Sequence, residues 1–413
     1  MNHLSTSARD LLRAVLIGCA LALVFSAAII LALQTDFAQE KIASLRYRVA
    51  EIFPAPTPPQ FAPTPLALPT AAPTNYPTAQ PTNRPTDSPT RAPTRPRTPT
   101  FAPDVIPIQP SVSLRGFKHE YQKWNNCGPA TLAMTLSFFG RTDTQAAIAA
   151  AIKPNYDDRN VRPDELSAYA SSVGLRALVR VNGSLDRLKL LLSNDVPVII
   201  ETALVKQPQG WMGHYRLLIG YDAKQFFTLD SYDGPSVKLA AAELDDAWRA
   251  FNRQYLVIYD EAHAARVRAI LADTLDDAAM YAQAAATARA ESAADPQDAF
   301  AAFNLGASLV GLNRYAEAAT AFDRARTLGL PWRMMWYEFG AYEAYLHVGR
   351  NAEVIALADT LLRQANDLEE SHYYKGLALR ALKREPEARA EFETALRFNP
   401  HYRAAQRALA NDK

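Results

Sequence analysis

Hydrophobic and polar positions divide this chain into four stretches of different texture. Ala14 to Leu33 reads AVLIGCALALVFSAAIILAL and carries no charged side chain. At 1.5 Å per residue it matches the roughly 30 Å hydrocarbon core of a bilayer, and it has no polar face. Residues 54–110 show no apolar period. From 111 to 262, short apolar runs alternate with helical patterns. A helix is predicted from about Cys127, with Leu132, Leu136 and Phe139 on one face and Gly140 as its stop. A second runs from Arg162-Pro163-Asp164-Glu165 to Gly174, and a third is capped by Ser184 and reaches Leu192. Strands are predicted at Leu175–Val181, Val196–Ile200, His214–Tyr221, Phe226–Asp230 and Gln254–Tyr259. From 263 to 413 the chain is alanine-rich and helical throughout.

The helical stretch repeats itself. Asn304-Leu305-Gly306 opens a unit continuing through Ala318, Phe322 and Ala325 to Pro331. Tyr374-Lys375-Gly376 opens another through Ala388, Phe392 and Ala395 to Pro400, with the same Gly–Ala–Phe–Ala spacings. A degenerate middle unit is expected at Phe339-Gly340, with Ala352 and Ala356 at the matching offsets. These residues resemble tetratricopeptide repeats, whose small residues let paired helices approach and whose aromatics fill the space between them. Asp276 to Ser292 adds a helix ahead of them.

Composition sharpens the outer stretches. Of 28 prolines, 18 lie between Pro54 and Pro110, mostly as Pro-Thr. Such a segment lacks amide donors for helix or sheet and is expected to be extended, spanning at most about 180 Å at ~3.1 Å per residue. Net charge is +1 over 413 residues, so nothing points to nucleic acid. The two cysteines are Cys19 and Cys127. Cys19 sits inside the apolar run, and no disulfide framework is available. The 14–33 segment is read as a single-pass anchor; Leu16-Ile-Gly-Cys19, which resembles a lipoprotein box, leaves a lipid anchor as the alternative. Flanking charges barely favour either orientation. The Pro/Thr stalk favours an extracytoplasmic placement of everything after it.

Cys127 lies in Gln122-Lys-Trp-Asn-Asn-Cys127-Gly-Pro. At a helix start, unpaired amides and the dipole favour a thiolate, so the residue is a candidate nucleophile as well as a candidate buried thiol. A nucleophile needs a base and something to orient it. Of seven histidines, only His119 and His214 belong to the α/β region. His214 opens an apolar strand after Gln207-Pro-Gln-Gly-Trp-Met-Gly213. If that strand turns around 222–223, opposed positions sum to about 445 and Asp230 lies across from His214. No cluster of His, Cys and carboxylates has ligand spacing, so no metal or other cofactor is expected.

Gln122-x4-Cys127-Gly-Pro-Ala, Gly213-His214-Tyr and Leu229-Asp230 resemble the C39-like group of papain-fold cysteine peptidases over about residues 115–260. The resemblance implies Cys127 as nucleophile, His214 as general base and acid, and Asp230 as the residue orienting it. It implies Gln122 as the oxyanion donor alongside the Cys127 N–H. Two departures stand out: no nucleotide-binding domain accompanies the peptidase, and Ser231 follows Asp230 where many members have proline.

The expected architecture is therefore an α+β papain-like domain at 111–262 and an all-α repeat solenoid at 263–413. Ahead of them lie residues 1–53 with the anchor at 14–33, and a Pro/Thr-rich linker at 54–110. The expected function is a membrane-anchored, extracytoplasmic cysteine peptidase acting on a peptide or protein substrate, whose repeats bind substrate or a protein partner. The alternatives are a non-catalytic scaffold acting through its repeats, and an amidase or acyl transferase on the same fold.

Overall fold

The computed structural model describes residues 60–66, 105–206 and 210–410. The predicted span at 14–33 lies outside them; among the described residues no helix is long and apolar enough to cross a membrane.

The first domain is one antiparallel sheet with helices on both faces. Its elements are β1 (Val112–Ser113), α1 (Cys127–Phe138), α2 (Gln145–Ile152), α3 (Pro163–Ser172), β2 (Arg176–Arg180), α4 (Leu185–Leu192), β3 (Val198–Lys206), β4 (Gly210–Tyr221), β5 (Gln225–Asp230), β6 (Gly234–Ala240), α5 (Ala241–Arg249) and β7 (Tyr255–Tyr259). The strand order is β2-β7-β3-β4-β5-β6, with β1 added to β4. Alternate residues sort to opposite faces. Val198, Ile200, Leu218 and Val257 meet Leu188, Leu192 of α4 and Leu244, Trp248 of α5. Ile199, Leu217, Leu256 and Ile258 meet Leu132 and Leu136 of α1 and Leu166 of α3. Covering on both sides explains why the central strands read as continuous apolar runs.

The sequence misses α2 and the β6–α5 segment, and it makes the β3–β4 hairpin too short. β3 runs on to Lys206 and pairs along its whole length with β4, from Lys206 with Gly210 to Val198 with Leu218. The β4–β5 register also differs from expectation. The Asp222 carboxylate accepts the Lys224 and Gln225 amides, which moves the turn onward. Tyr221 pairs with Phe226 and, past an irregularity between Leu218 and Gly220, Leu217 pairs with Leu229. One step further sets Arg216 across from Asp230, with His214 the diagonal neighbour on the same face.

The second domain comprises α6 (Ala264–Ile270), α7 (Asp277–Ala294), α8 (Ala299–Gly311), α9 (Tyr315–Thr327), α10 (Met334–Tyr337), α11 (Gly340–His347), α12 (Asn351–Leu362), α13 (Glu369–Ala381), α14 (Glu385–Phe398) and α15 (Arg403–Ala410). Helix pairs α8–α9 and α13–α14 are the two well-marked repeats. Phe322 and Phe392 are fully buried, each against the backbone of its own repeat's glycine. A Cβ on Gly306 would stand 2.8 Å from Phe322, and one on Gly376 2.5 Å from Phe392.

The middle repeat is framed differently from the sequence reading. Ala352 is exposed, whereas Tyr342 and Ala358 are completely buried. Tyr342 lies 34 residues before Gly376, and Ala358 lies 34 before Phe392. The two extra residues therefore fall ahead of α11, where the short α10 is inserted. At this repeat the large and small partners have changed helices, with Tyr342 in place of the glycine and Ala358 in place of the phenylalanine. One large and one small residue are kept, and the added Tyr342 hydroxyl is met by Ser371 Oγ at 3.2 Å.

The two domains share one core. Trp211 of β4 stacks on Phe251 and on Phe300 of α8, with ring centroids 5.8 and 6.0 Å away, and Tyr337 of α10 closes edge-on against both Trp211 and Phe251. Arg159 pairs with Asp367 at 2.5 Å, and Asn304 donates to the Arg249 carbonyl at 2.7 Å. Two pieces of the Pro/Thr-rich stretch are also packed. Residues 60–66 lie extended on the repeats, and Ile106 exchanges two 2.8 Å hydrogen bonds with the Asn194 side chain.

Gly376→Val is expected to destabilise the repeat domain by ~1–3 kcal/mol, because Phe392 cannot move aside in a close-packed core. Adding Phe392→Leu should recover part of that loss. Urea denaturation of the two variants and their combination measures the coupling.

Candidate active site

Local structure first fixes the cysteine. Residues 120–126 approach α1 as a loop knitted by the buried Gln145 of α2. Its Oε1 accepts from the Lys123 amide and from Asn126 Nδ2, while its Nε2 donates to Glu120 Oε1 and the Tyr121 carbonyl. Asn126 is the N-cap and Cys127 the first helical residue, so Pro129 falls third, where its missing N–H is still among those that lack a partner within the helix. Gly140, at φ +73°, ends the helix with hydrogen bonds back to its last turn. Cys127 is partly exposed and is the only free cysteine among the described residues.

His214 and Asp230 come together as expected, though diagonally. His214 Nε2 lies 2.9 Å from Asp230 Oδ1, and both side chains are buried. The imidazole and the Cys127 thiol are electrostatically coupled, each shifting the other's proton affinity. Asp230 is saturated with donors: Oδ1 also accepts the Tyr232 and Asp233 amides, and Oδ2 accepts Arg216 Nε at 2.9 Å. Arg216 in turn donates to Thr202 Oγ1, whose hydroxyl donates to the His214 carbonyl.

These contacts set the charges. Burial works against ionising Cys127, but the His214 hydrogen bond and charge, with backbone hydrogen bonds at Tyr215 and Gly128, outweigh it and lower the thiol pKa. Burial disfavours a charged His214, yet hydrogen bonds to Asp230 and Cys127 and their negative charges raise it to about 9. Burial would raise Asp230; His214, the Asp233 amide and Arg216 hold it well below the usual carboxylate range. These shifts all favour charge separation: a lowered thiol, a raised imidazole and a carboxylate that stays ionised.

Gln122 is pinned to the residue after Asp230. Its N–H donates to the Ser231 carbonyl at 2.8 Å, and its Oε1 accepts from Ser231 Oγ at 3.0 Å. With the carbonyl end committed, the amide N–H groups remain for another acceptor. His119, the other histidine of the region, donates from Nε2 to the Asp230 backbone carbonyl at 2.9 Å. It supports the Asp230 turn from behind.

Beside Cys127 lies a small cavity of about 10 Å³, lined by residues including Gly128, Glu201, Gly213, Tyr215 and Tyr337. Tyr337 comes from the helical domain and packs on Gly213, where a Cβ would meet it at 3.2 Å and Phe251 at 2.8 Å. Glu201 is buried here, and its carboxyl is pushed well above the ordinary range by that burial and by the nearby Glu338 and Cys127 charges.

Cys127, His214, Asp230 and Gln122 are the site residues expected from sequence; Arg216, Gln145 and Tyr337 join them in the structure, and Ser231, noted only as a departure from proline, is the partner of Gln122. Arg216 carried a usable signal: a lone charge inside the apolar run Tyr215–Ile219, two residues from His214 and so on its face.

Among protein-family models, the Peptidase_C39 like family matches residues 114–256, and the PT disordered repeat matches residues 61–95. No curated protein matches the chain. Among solved structures it is similar to a protein from Bacillus anthracis described as a C39-like peptidase (18% identity, 37% of this chain, 99% of that one, TM-score 0.31). It is also similar to the peptidase domain of Streptococcus ComA, a bi-functional ABC transporter (15%, 36%, 100%, TM-score 0.30). A further similar structure is YrrB, a TPR protein with an unusual peptide-binding site (15%, 32%, 84%, TM-score 0.19).

The charge arrangement has a measurable signature. Iodoacetamide should alkylate Cys127 readily at pH 7, below the ordinary thiol pKa of about 8.5. The His214 dependence should fade as pH passes about 9, where the imidazolium loses its proton. In His214→Ala the thiol keeps its burial and loses its partner, so alkylation should rise only above about pH 8.5. Rates across pH 5–10, with Cys127→Ala as the blank, check this.

Proposed function

We propose, for a chain whose residues 114–256 belong to the Peptidase_C39-like family, that the protein is a cysteine peptidase acting through Cys127, His214 and Asp230. The observation that carries the reading is that His214, coupled in charge to the Cys127 thiol, is held at 2.9 Å by a buried carboxylate. The Cys127 thiolate attacks the carbonyl carbon of a peptide bond. The oxyanion that forms takes hydrogen bonds from the Cys127 backbone N–H and the Gln122 amide, donors fixed before the reaction begins. His214 gives its proton to the departing amine, leaving a thioester. A water then loses a proton to His214 and attacks the thioester, which restores the thiolate–imidazolium pair and releases the carboxylic acid. Asp230 keeps the imidazole in one orientation and stays charged throughout, and Arg216 offsets its burial. In this reading the protein sits in a membrane through residues 14–33, with the peptidase and repeats outside the cytoplasm, as the charge-free apolar run and the Pro/Thr-rich segment suggest.

The full-length protein, incubated with a peptide library, should generate new N-termini detectable by mass spectrometry. Cys127→Ala should abolish them and His214→Ala should slow them ~10²–10⁴-fold. Cleavage that persists in Cys127→Ala would sink the proposal. On a cleaved peptide, Ser231→Ala should lower kcat about tenfold with KM little changed, less than the ~10²–10³ expected for losing the Gln122 donor outright. It should add nothing in a Gln122→Ala background, which separates positioning of Gln122 from general damage. In intact cells, an added protease should cut between residues 67 and 104 if the stalk faces outward.

A further inference from the structure

Residues 60–66, Gln-Phe-Ala-Pro-Thr-Pro-Leu, belong by composition to the linker, yet they are seated on the repeat domain along residues 329–332, α9 and α12. Phe61 forms an antiparallel bridge with Pro331. The Ala62 amide donates to the Leu330 carbonyl at 2.7 Å, and the Trp332 amide donates to the Gln60 carbonyl. The Ala62 side chain is 4% exposed and joins the core shared by the repeats, while the Phe61 ring lies on Gly329.

The second half of the segment meets a buried ion pair. Arg326 of α9 and Glu353 of α12 are each 3% exposed and lie 2.6 Å apart. Each uses one atom on the other and a second on the peptide backbone. Arg326 Nε donates to the Pro63 carbonyl at 2.7 Å, and Glu353 Oε2 accepts the Leu66 amide at 2.8 Å. Burying a charged pair is costly unless its remaining donors and acceptors are satisfied. Here the peptide supplies two partners, beside the Tyr345 hydroxyl, which accepts from Arg326 Nη1 at 3.0 Å, and Arg350, 3.5 Å from Glu353 Oε2. Pro63 and Pro65 have no amide to strand at the surface, and Thr64 between them is exposed.

We propose that this surface is a binding site for extended Ala-Pro-x-Pro segments, and that residues 60–66 are its intrachain ligand, which an outside segment of the same chemistry must displace. Recognition is by backbone at positions 60, 62, 63 and 66, by a pocket that admits a side chain no larger than alanine at 62, and by prolines at the two positions whose amides would be left without a partner. The proposal does not depend on the peptidase reading. The chain holds a second Ala-Pro-Thr-Pro at Ala55–Pro58, seven residues upstream, which supplies a replacement if the first is blocked. A segment joined covalently to its site acts at an effective concentration on the order of mM, enough to exclude weaker competitors.

Two measurements on the full-length chain test this. In hydrogen exchange, the Ala62 and Leu66 amides should exchange at least about tenfold more slowly than Thr64 between them. In fluorescence anisotropy, a labelled Gln60–Leu66 peptide should bind Ala55→Arg/Ala62→Arg at least about tenfold more tightly than it binds the unaltered chain. A scrambled peptide should bind neither. Ala62 lies outside the helices, and the exchange measurement needs no variant. Equal exchange at Ala62, Thr64 and Leu66 overturns the proposal, as does equal peptide binding by the two chains or binding of the scrambled sequence.

Discussion

The Asp230 carboxylate is the point on which the first domain turns. It is wholly buried and ionised, which is tolerable only because four donors reach it: His214, Arg216 and the Tyr232 and Asp233 amides. Each donor has a structural precondition. His214 and Arg216 share a face because β4 is extended through both. The two amides are available because the chain turns immediately after Asp230. The same turn brings Ser231 to Gln122 and so ties the loop before Cys127 to the far side of the sheet. Removing the carboxylate would leave Arg216 as an unpaired buried cation and loosen the imidazole at the same time.

The helical domain is more than an appendage to this arrangement. Tyr337 lines the cavity next to Cys127, and the shared aromatic cluster of Trp211, Phe251, Phe300 and Tyr337 sits one residue from Gly213-His214. The inserted α10, which shifts the repeat frame by two residues, is the element that delivers Tyr337. The irregularity of the middle repeat and the wall of the cavity are therefore the same structural event.

Much of this was legible in the sequence wherever the governing interaction was local or periodic. The Cys127 helix declared itself through Gly-Pro at its start and Gly140 at its end, and the outer repeats through fixed Gly–Ala–Phe spacings. His214 and Asp230 were found by hairpin arithmetic, but the register was off because an Asx turn at Asp222 and a break near Ile219 each shift pairing without a hydrophobic signature. The middle repeat was misframed for a related reason: a Gly/Phe pair exchanged for Tyr342/Ala358 keeps one large and one small residue and erases the pattern. Gln145 and Ser231 act through hydrogen bonds between segments far apart in sequence, which no periodicity encodes. The docking of residues 60–66 was hidden by a correct premise. Proline does remove the donors that helix and sheet require, but a segment with a few amides left can use those few on a prepared surface.

Gly213 has a consequence beyond its own strand. Any side chain there would press on Phe251 of its own domain and Tyr337 of the other, so a change at this seam is felt on both sides of it. The first domain set on a different solenoid would keep Trp211 and Phe251 but lose Phe300 and Tyr337, and with Tyr337 one wall of the cavity beside its thiol.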